Sequence, residues 1–485
     1  MRNLKKIEKV SRPVRVIQFG EGNFLRAFAD EMLDIANEKG VFDGNVVIVK
    51  PRKGAPAPAF AEQDCVYTVV RRGRENGKVV NESRIITCVD KVVSCYDEPE
   101  EFLALAHIGT LRFVISNTTE AGIVLDENDA FDGVPETYPG KLTKFLYERW
   151  TAFSGAADKG LIVLPAELIE NNGGELCRCV LALAAVWKLP EAFSAWVKEN
   201  CIFCNTLVDR IVTGYPKENA EALFDELGYH DALVDLCEPF ALWVIESKTD
   251  IRDEFPLDKA GLPVVFTDDL TPYRERKVRI LNGAHTSGVL AGYLYGIDIV
   301  RDCMQDEVMG KFFRRAVGEE IVPFVKLPWE DVEAFAASVF ERFDNPFIDH
   351  ALLSISLNSV SKWKARVLPS FKDYVKTNGR LPKLLTFSFA ALLAFYSSAE
   401  YSDGVLHAKR ANGDEYTVKD SPAVLAFFAE NSGKAISEFV SLAAARTDFW
   451  GEDLSVYPEF VETVSENLAA IRADIGAALR NILGE

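Results

Sequence analysis

The chain has 485 residues, of which 48% are hydrophobic and 26% charged, so it can bury large cores in two or three domains and is no disordered segment. Lys and Arg total 54 against 73 Asp and Glu, a net charge of −19 that argues against general binding to nucleic acid or an anionic membrane but leaves room for a local cationic pocket. Nine scattered cysteines and an opening, "MRNLKKIEKVSRPVRVIQFG", without a signal-peptide pattern lead us to expect reduced thiols and a cytoplasmic location.

The first predicted element is "VRVIQFG" (14–20), an apolar, β-branched strand that ends in glycine. "FLRAFADEMLDIANEKG" (24–40) has helical spacing and a C-cap at Gly40. "NVVIVKP" (45–51) reads as a second buried strand, and "RFVISNTTEAG" (112–122) and "GLIVLPAELI" (160–169) repeat the pattern. Strand, turn, helix, strand predicts an α/β domain, a doubly wound parallel sheet with helices on both faces, over 1–275. Beyond 275 strand-like runs nearly vanish. Segments 278–296, 304–322, 329–343, 347–364, 382–398, 421–446 and 456–483 read as helices, so 276–485 is expected to be a mainly α-helical domain. The uncharged run Leu384–Ala399 is too short and too rich in Ser and Thr to span a bilayer, and is expected to be a buried helix.

Gly20 and Gly22 fall directly after the first strand and before a helix. A dinucleotide diphosphate needs such a tight turn, close backbone approach and a helix N-terminus, which makes the domain Rossmann-like. The third glycine of G-x-G-x-x-G is replaced by Leu25, so the signature is incomplete. Arg26 reads either as a phosphate ligand or as a helix-surface arginine. At the end of the second strand stand Lys50, Pro51 and Arg52, with no acid for a ribose 2′-hydroxyl, which leaves NAD against NADP open on chemistry alone.

"KVRILNGAHTSG" (277–288) concentrates Lys277, Asn282 and His285 among apolar residues. On a helix Asn282 and His285 share a face, and Lys277 lies about two turns before His285. A carbonyl that accepts hydride needs donors aimed at its oxygen and an acid to protonate it. A lysine made acidic by desolvation, an asparagine amide and a histidine fit those tasks. Each has a plainer reading: a solvated charge at a helix start, an Asn-Gly turn, a satisfied core histidine. Convergence at the domain boundary favours chemistry. Cys201 and Cys204 form a CxxC and Cys177 and Cys179 a CxC; buried thiols explain them better than zinc, and no H-x-H or clustered ligand pattern appears, so no metal is expected.

"KVRILNGAH" resembles the K-x-x-x-x-N-G-x-H signature of the mannitol dehydrogenase family, the long-chain polyol and sugar-acid dehydrogenases. "FGEGNFLRAF" resembles its N-terminal loop, with Phe28 where many members have histidine. "NTLVDRI" (205–211), "RFDNPFIDH" and "SKWKARVLP" match further segments, over nearly the whole chain. The resemblance implies NAD as cofactor, a sugar acid as substrate, no nucleic-acid or membrane partner, and interconversion of D-tagaturonate and D-altronate in hexuronate catabolism. The alternatives are fructuronate/mannonate or polyol/ketose chemistry in the same family and, from another class, a non-catalytic nucleotide-binding protein. It also implies roles. Lys277 is the general acid/base, Asn282 and Asn205 the oxyanion donors, and His285 the holder of substrate hydroxyls. Lys362 is a substrate contact. Gly20, Gly22, Asn23 and Phe24 cradle the diphosphate with Thr119 and Glu120 nearby, and Asp209 and Arg210 brace the site. The chain departs from the polyol-oxidising pattern at Glu246-Ser247 and at Ser354, which suits a sugar acid. Its carboxylate needs a cationic partner, for which Lys362, Lys364 and Arg366 are the candidates.

Overall fold

Along β1 (Val14–Phe19), Val16 enters one hydrophobic core while Ile17 and Phe19 enter another. The same alternation runs through β2 (Asn45–Lys50), where Val46 and Ile48 oppose Val47 and Val49. A strand apolar on both faces belongs inside a sheet covered on both sides. The computed structural model describes residues 4–118, 122–398 and 400–485, and the chain divides into two units. The first is Met1–Arg72 with Val79–Leu270, the second Gly73–Lys78 with Thr271–Glu485.

The chain continues through β3 (Tyr67–Glu75) and β4 (Lys78–Ile86), whose shared end Gly73–Lys78 is counted with the second unit, and then, in the first, β5 (Val89–Ser94), β6 (Phe113–Ser116), β7 (Ile162–Pro165) and β8 (Ile202–Phe203). The main sheet has six strands in the order β5-β2-β1-β6-β7-β8, every neighbouring pair parallel. Numbered within the sheet, that order is 3-2-1-4-5-6, the doubly wound arrangement of nucleotide-binding domains. Helical residues 23–38 pack on one face through Leu25, Phe28, Met32 and Leu33. Helices Tyr138–Ala152, Asn172–Val186 and Glu191–Asn200 cover the other. The winding reverses between β1 and β6, so the crevice where such sheets take ligands opens at their carboxyl ends, at Gly20–Gly22 and Asn117–Thr118.

Two smaller sheets complete the unit. β9 (Asn205–Asp209), β10 (Val212–Gly214), β11 (Asp235–Cys237), β12 (Leu242–Glu246) and β13 (Val264–Thr267) form the orders β10-β11-β3-β4 and β13-β12-β9. The sequence reading did not assign these strands. They are short, and their residues alternate irregularly.

The second unit is mainly helical, as expected. Helix Lys383–Phe395 is buried on nearly every side and packs against Gly283–Tyr295 and Phe460–Ala473. A helix apolar all round belongs in the middle of a bundle, not in lipid, when it is this short. Among the described residues no helix is long and apolar enough to cross a membrane. Glu320 accepts hydrogen bonds from the backbone N–H groups of Leu384 and Leu385, which satisfies the buried start of that helix. Several expected helices are broken: 421–446 is Pro422–Asn431 and Ile436–Ala444, and 456–483 contains Phe460–Ala473 and Ile475–Leu483. An antiparallel sheet of β14 (Glu400–Ser402), β15 (Val405–Lys409) and β16 (Glu415–Val418) lies between two of these helices and was not expected.

Candidate active site

The turn after β1 is built for close approach. Gly20 has φ +123°, a conformation L side chains rarely adopt, and its N–H donates to the Val49 carbonyl at 3.0 Å. Gly22 caps the following helix in an extended conformation, and a Cβ added there would meet nothing within 4 Å. The first backbone N–H groups of that helix have no intrahelical acceptor. These residues fit a dinucleotide diphosphate: a positive-φ turn, room where a side chain would stand, and a helix start. Phe24 stacks on Phe28 at 5.0 Å and seats the first turn on the core. Thr119 and Glu120 lie outside the described residues.

Arg26 corrects one expectation. It is only 4% exposed and turns inward. Its guanidinium donates to the Leu233 carbonyl and to Asn23 Oδ1, both at 2.6 Å, and pairs with Asp235 at 3.4 Å. It anchors the loop and orients Asn23 instead of presenting itself to a phosphate, because its two terminal nitrogens are already engaged. Arg210 does the same one turn later. It donates to the carbonyls of Ala27 and Glu238 and pairs with buried Glu31. Asp30, between them, accepts from Tyr67 Oη at 2.8 Å, and burial pushes its carboxyl up to about 7. Residues 26–30 form a π turn between the helical stretches Asn23–Leu25 and Glu31–Glu38.

A second π turn spans Lys277–Asn282, between helices Thr271–Arg276 and Gly283–Tyr295. Its consequence is angular. In an α-helix a five-residue step rotates about 500°, which would leave Lys277 and Asn282 about 140° apart. An i→i+5 pattern brings residues five apart nearly into line. Lys277 and Asn282 thus share a face, both half-buried, and His285 follows three residues on in regular α-helix. The sequence reading assumed α-helix throughout and missed this device.

His285 is the centre of a cationic group. Its ring lies on Phe343 at 4.1 Å and meets His350 edge-on at 5.5 Å. Its Nδ1 is buried without a hydrogen-bond partner among the described residues. Burial, then His350, Arg342, Arg366 and Lys362, hold its pKa well below the ordinary histidine value, so the imidazole is neutral. A neutral ring can both donate and accept, as hydroxyl recognition requires. Helix Ser359–Arg366 carries Lys362 and Arg366 four residues apart on one face. Lys362 donates to the Ile355 carbonyl at 2.8 Å, and burial and Arg366 lower its pKa. This helix comes close because Gly283 has no side chain: a Cβ there would stand 3.1 Å from the Arg366 carbonyl oxygen. Lys364 is the second correction. It projects from the other side, exposed, with its amine beside Gly451, so two residues of helical rotation separate it from the cluster.

Asn205 opens β9. Its Oδ1 accepts from the N–H groups of Gly173 and Gly174 at 3.0 and 3.1 Å, and its Nδ2 donates to Glu246 at 2.8 Å. Glu246 also accepts from the Leu270 N–H, so the acid of the "WVIES" segment fixes the amide. Asn205 keeps one more N–H with which to meet a ligand. Sequence reasoning missed Arg342, Phe343 and His350, although all lie within or beside "RFDNPFIDH", and it missed Glu21, which pairs with Lys50 at 2.6 Å. The paired-cysteine motifs do not assemble. Cys201 lies in one core cluster and Cys204 in the other, on opposite faces of the sheet, and burial pushes both thiols up to about 12. Among the described residues no group of three or more His, Cys, Asp or Glu could hold a metal.

A doubly wound sheet with its glycine turn at the switch point, and a helical unit with an aligned lysine and asparagine, place the protein among the two-domain dehydrogenases acting on CH–OH groups. Residues 14–259 match the mannitol dehydrogenase Rossmann domain and residues 269–472 the mannitol dehydrogenase C-terminal domain. The chain belongs to the mannitol dehydrogenase family. It is 44% identical over 467 residues to the altronate oxidoreductase of Escherichia coli O7:K1, and 45% identical over 462 residues to that of Pectobacterium carotovorum, covering 95% of this chain and 94% of each relative. D-sorbitol dehydrogenase in substrate-free form has the same fold (TM-score 0.79, 23% identity, 96% and 95% of the two chains). So does Pseudomonas fluorescens mannitol 2-dehydrogenase in ternary complex with NAD and D-mannitol (TM-score 0.66, 22% identity, 98% and 95%).

Proposed function

We propose that the protein reduces D-tagaturonate to D-altronate, reversibly and with NAD(H), in hexuronate catabolism. What carries the substrate is identity of 44–45% along almost the whole chain to altronate oxidoreductases. The geometry agrees: a cluster of Lys362, Arg366, Arg342 and a neutral His285 suits a substrate that bears both a carboxylate and hydroxyls.

NADH, when bound at the glycine turn, supplies the hydride to the ketone carbon. Asn282 donates to the carbonyl oxygen as negative charge builds there, and a neutral amide can do so at any working pH. Lys277, aligned with it, gives the oxygen a proton from its ammonium, which leaves the secondary alcohol and a neutral amine. In the oxidative direction the amine takes the hydroxyl proton back. His285 holds a neighbouring hydroxyl, and the cations of helix Ser359–Arg366 hold the carboxylate. Arg26 and Arg210 do no chemistry; they keep Asn23 and the first helical turn in place.

The test is a panel of hexuronate ketones and neutral ketoses, followed by NADH absorbance. Tagaturonate should be consumed fastest. Turnover of fructuronate or fructose in its place would move the protein to another activity of the family, and no turnover with any of them would end the proposal.

A further inference from the structure

The chain has no acid at the end of β2, where doubly wound domains place the carboxylate that binds the adenosine ribose hydroxyls. Lys50 ends that strand and Arg52 stands exposed two residues on, so the strand end by itself leaves the choice between the two dinucleotides open. Glu21, between the two glycines of the turn, reaches across to Lys50 and pairs with it at 2.6 Å. We infer that the Glu21–Lys50 pair selects the dinucleotide without a 2′-phosphate. Glu21 acts as the displaced ribose acceptor, and Lys50 is the residue that holds it. This rests on the dinucleotide reading of the glycine turn given above.

Three observations support the assignment. The two side chains are only 24% and 15% exposed, so the pair is a fixed element and not a surface contact. Their backbones are fixed as well. The Gly20 N–H donates to the Val49 carbonyl at 3.0 Å and the Cys95 N–H to the Lys50 carbonyl at 3.1 Å, which binds the glycine turn, β2 and the end of β5 together. Third, two further cations of this neighbourhood, though not Arg52, are engaged. Lys53 pairs with Glu136 at 3.0 Å, and the Lys141 amine donates to the Glu136 carbonyl at 2.8 Å. A phosphate monoester carries about −1.5 to −2 charges near neutral pH. Beside Glu21 it would meet a carboxylate of like sign and a lysine whose charge is already matched. A ribose diol meets an acceptor there instead. Removing the carboxylate releases Lys50, which with Arg52 then faces a 2′-phosphate unopposed.

The experiment is a fluorescence titration of the full-length protein with NADH and NADPH, in the native form and as Glu21→Gln and Lys50→Ala. The native protein should bind NADH much more tightly than NADPH. Glu21→Gln should shift the ratio of the two dissociation constants towards NADPH by about tenfold or more, from the loss of one close like charge and the gain of an unmatched cation. Lys50→Ala should leave NADPH weak. If Glu21→Gln melts at the native temperature and binds NADH with an unchanged ratio, the pair does not select the cofactor, and the dinucleotide reading stands. If the native protein binds neither dinucleotide, that reading falls and the inference with it.

Discussion

Lys277 and Asp30 are both ionisable side chains, and they are put to different uses. Lys277 is half-buried on a face that it shares with Asn282. As the proposed proton donor it is replaceable for binding but not for turnover. Lys277→Ala should therefore lower kcat by ~10²–10⁴, the usual worth of positioned acid–base catalysis, and leave the NADH titration unchanged. A variant that turns over at the native rate would remove Lys277 from the mechanism. Asp30 lies fully inside, with its pKa pushed up from the ordinary 3.8 to about 7, chiefly by burial. Between those values the folded protein holds a proton that the unfolded chain has lost. Stability from this group is therefore highest at low pH and falls as pH rises towards 7 and just beyond. Asp30→Asn removes the charge but keeps an oxygen for the Tyr67 hydroxyl. Its melting temperature should match the native protein's near pH 4 and exceed it near pH 8, as calorimetry at the two pH values would read. Equal melting temperatures at pH 8 would refute the sign.

At the scale of elements, two π turns stand out, at Arg26–Asp30 and at Lys277–Asn282. Both fall in stretches that resemble family motifs, and both were invisible to periodicity. A π turn adds one residue to a helix without altering its apolar pattern enough to register, so residues 277–282 read as ordinary helix. The strands β1, β2, β6 and β7 were legible because uninterrupted β-branched runs ending in Gly, Pro or a polar turn have few other readings. β9 to β13 and the small sheet β14–β16 were not, being three to five residues long and held by tertiary pairing. The inward turn of Arg26 was equally hidden, since its partners Leu233 and Asp235 lie some two hundred residues away in the chain. Helix–helix approach makes a further prediction. Gly283→Ala would set a methyl 3.1 Å from the Arg366 carbonyl oxygen, tighter than ordinary contact, and helix Ser359–Arg366 must shift by a few tenths of an ångström. KM for the sugar acid should rise on the order of tenfold, within what small misplacements cost, with NADH binding intact. An unchanged KM would mean that Lys362 and Arg366 do not hold the substrate.

Across the whole molecule, the charge of −19 and the cationic neighbourhood of His285 are two answers to different demands. The first acts over the entire surface; the second acts within a few ångströms, where screening by salt reaches it least. The composition disclosed the first; of the second, His285, Lys362 and Arg366 were legible from the resemblance, while Arg342 and His350 were not, because they come from a separate segment of the second unit. The braces on helical residues 23–38 bear on how the chain is made. All six strands of the main sheet have left the ribosome once residue 203 has emerged, but Leu233, Asp235 and Glu238, which secure Arg26 and Arg210, are still to come. The earliest-synthesised ligand loop must wait for some of the last-synthesised parts of its own unit. A nascent chain therefore passes through a stage with a complete sheet and an unsecured mouth, when a chaperone has most to protect.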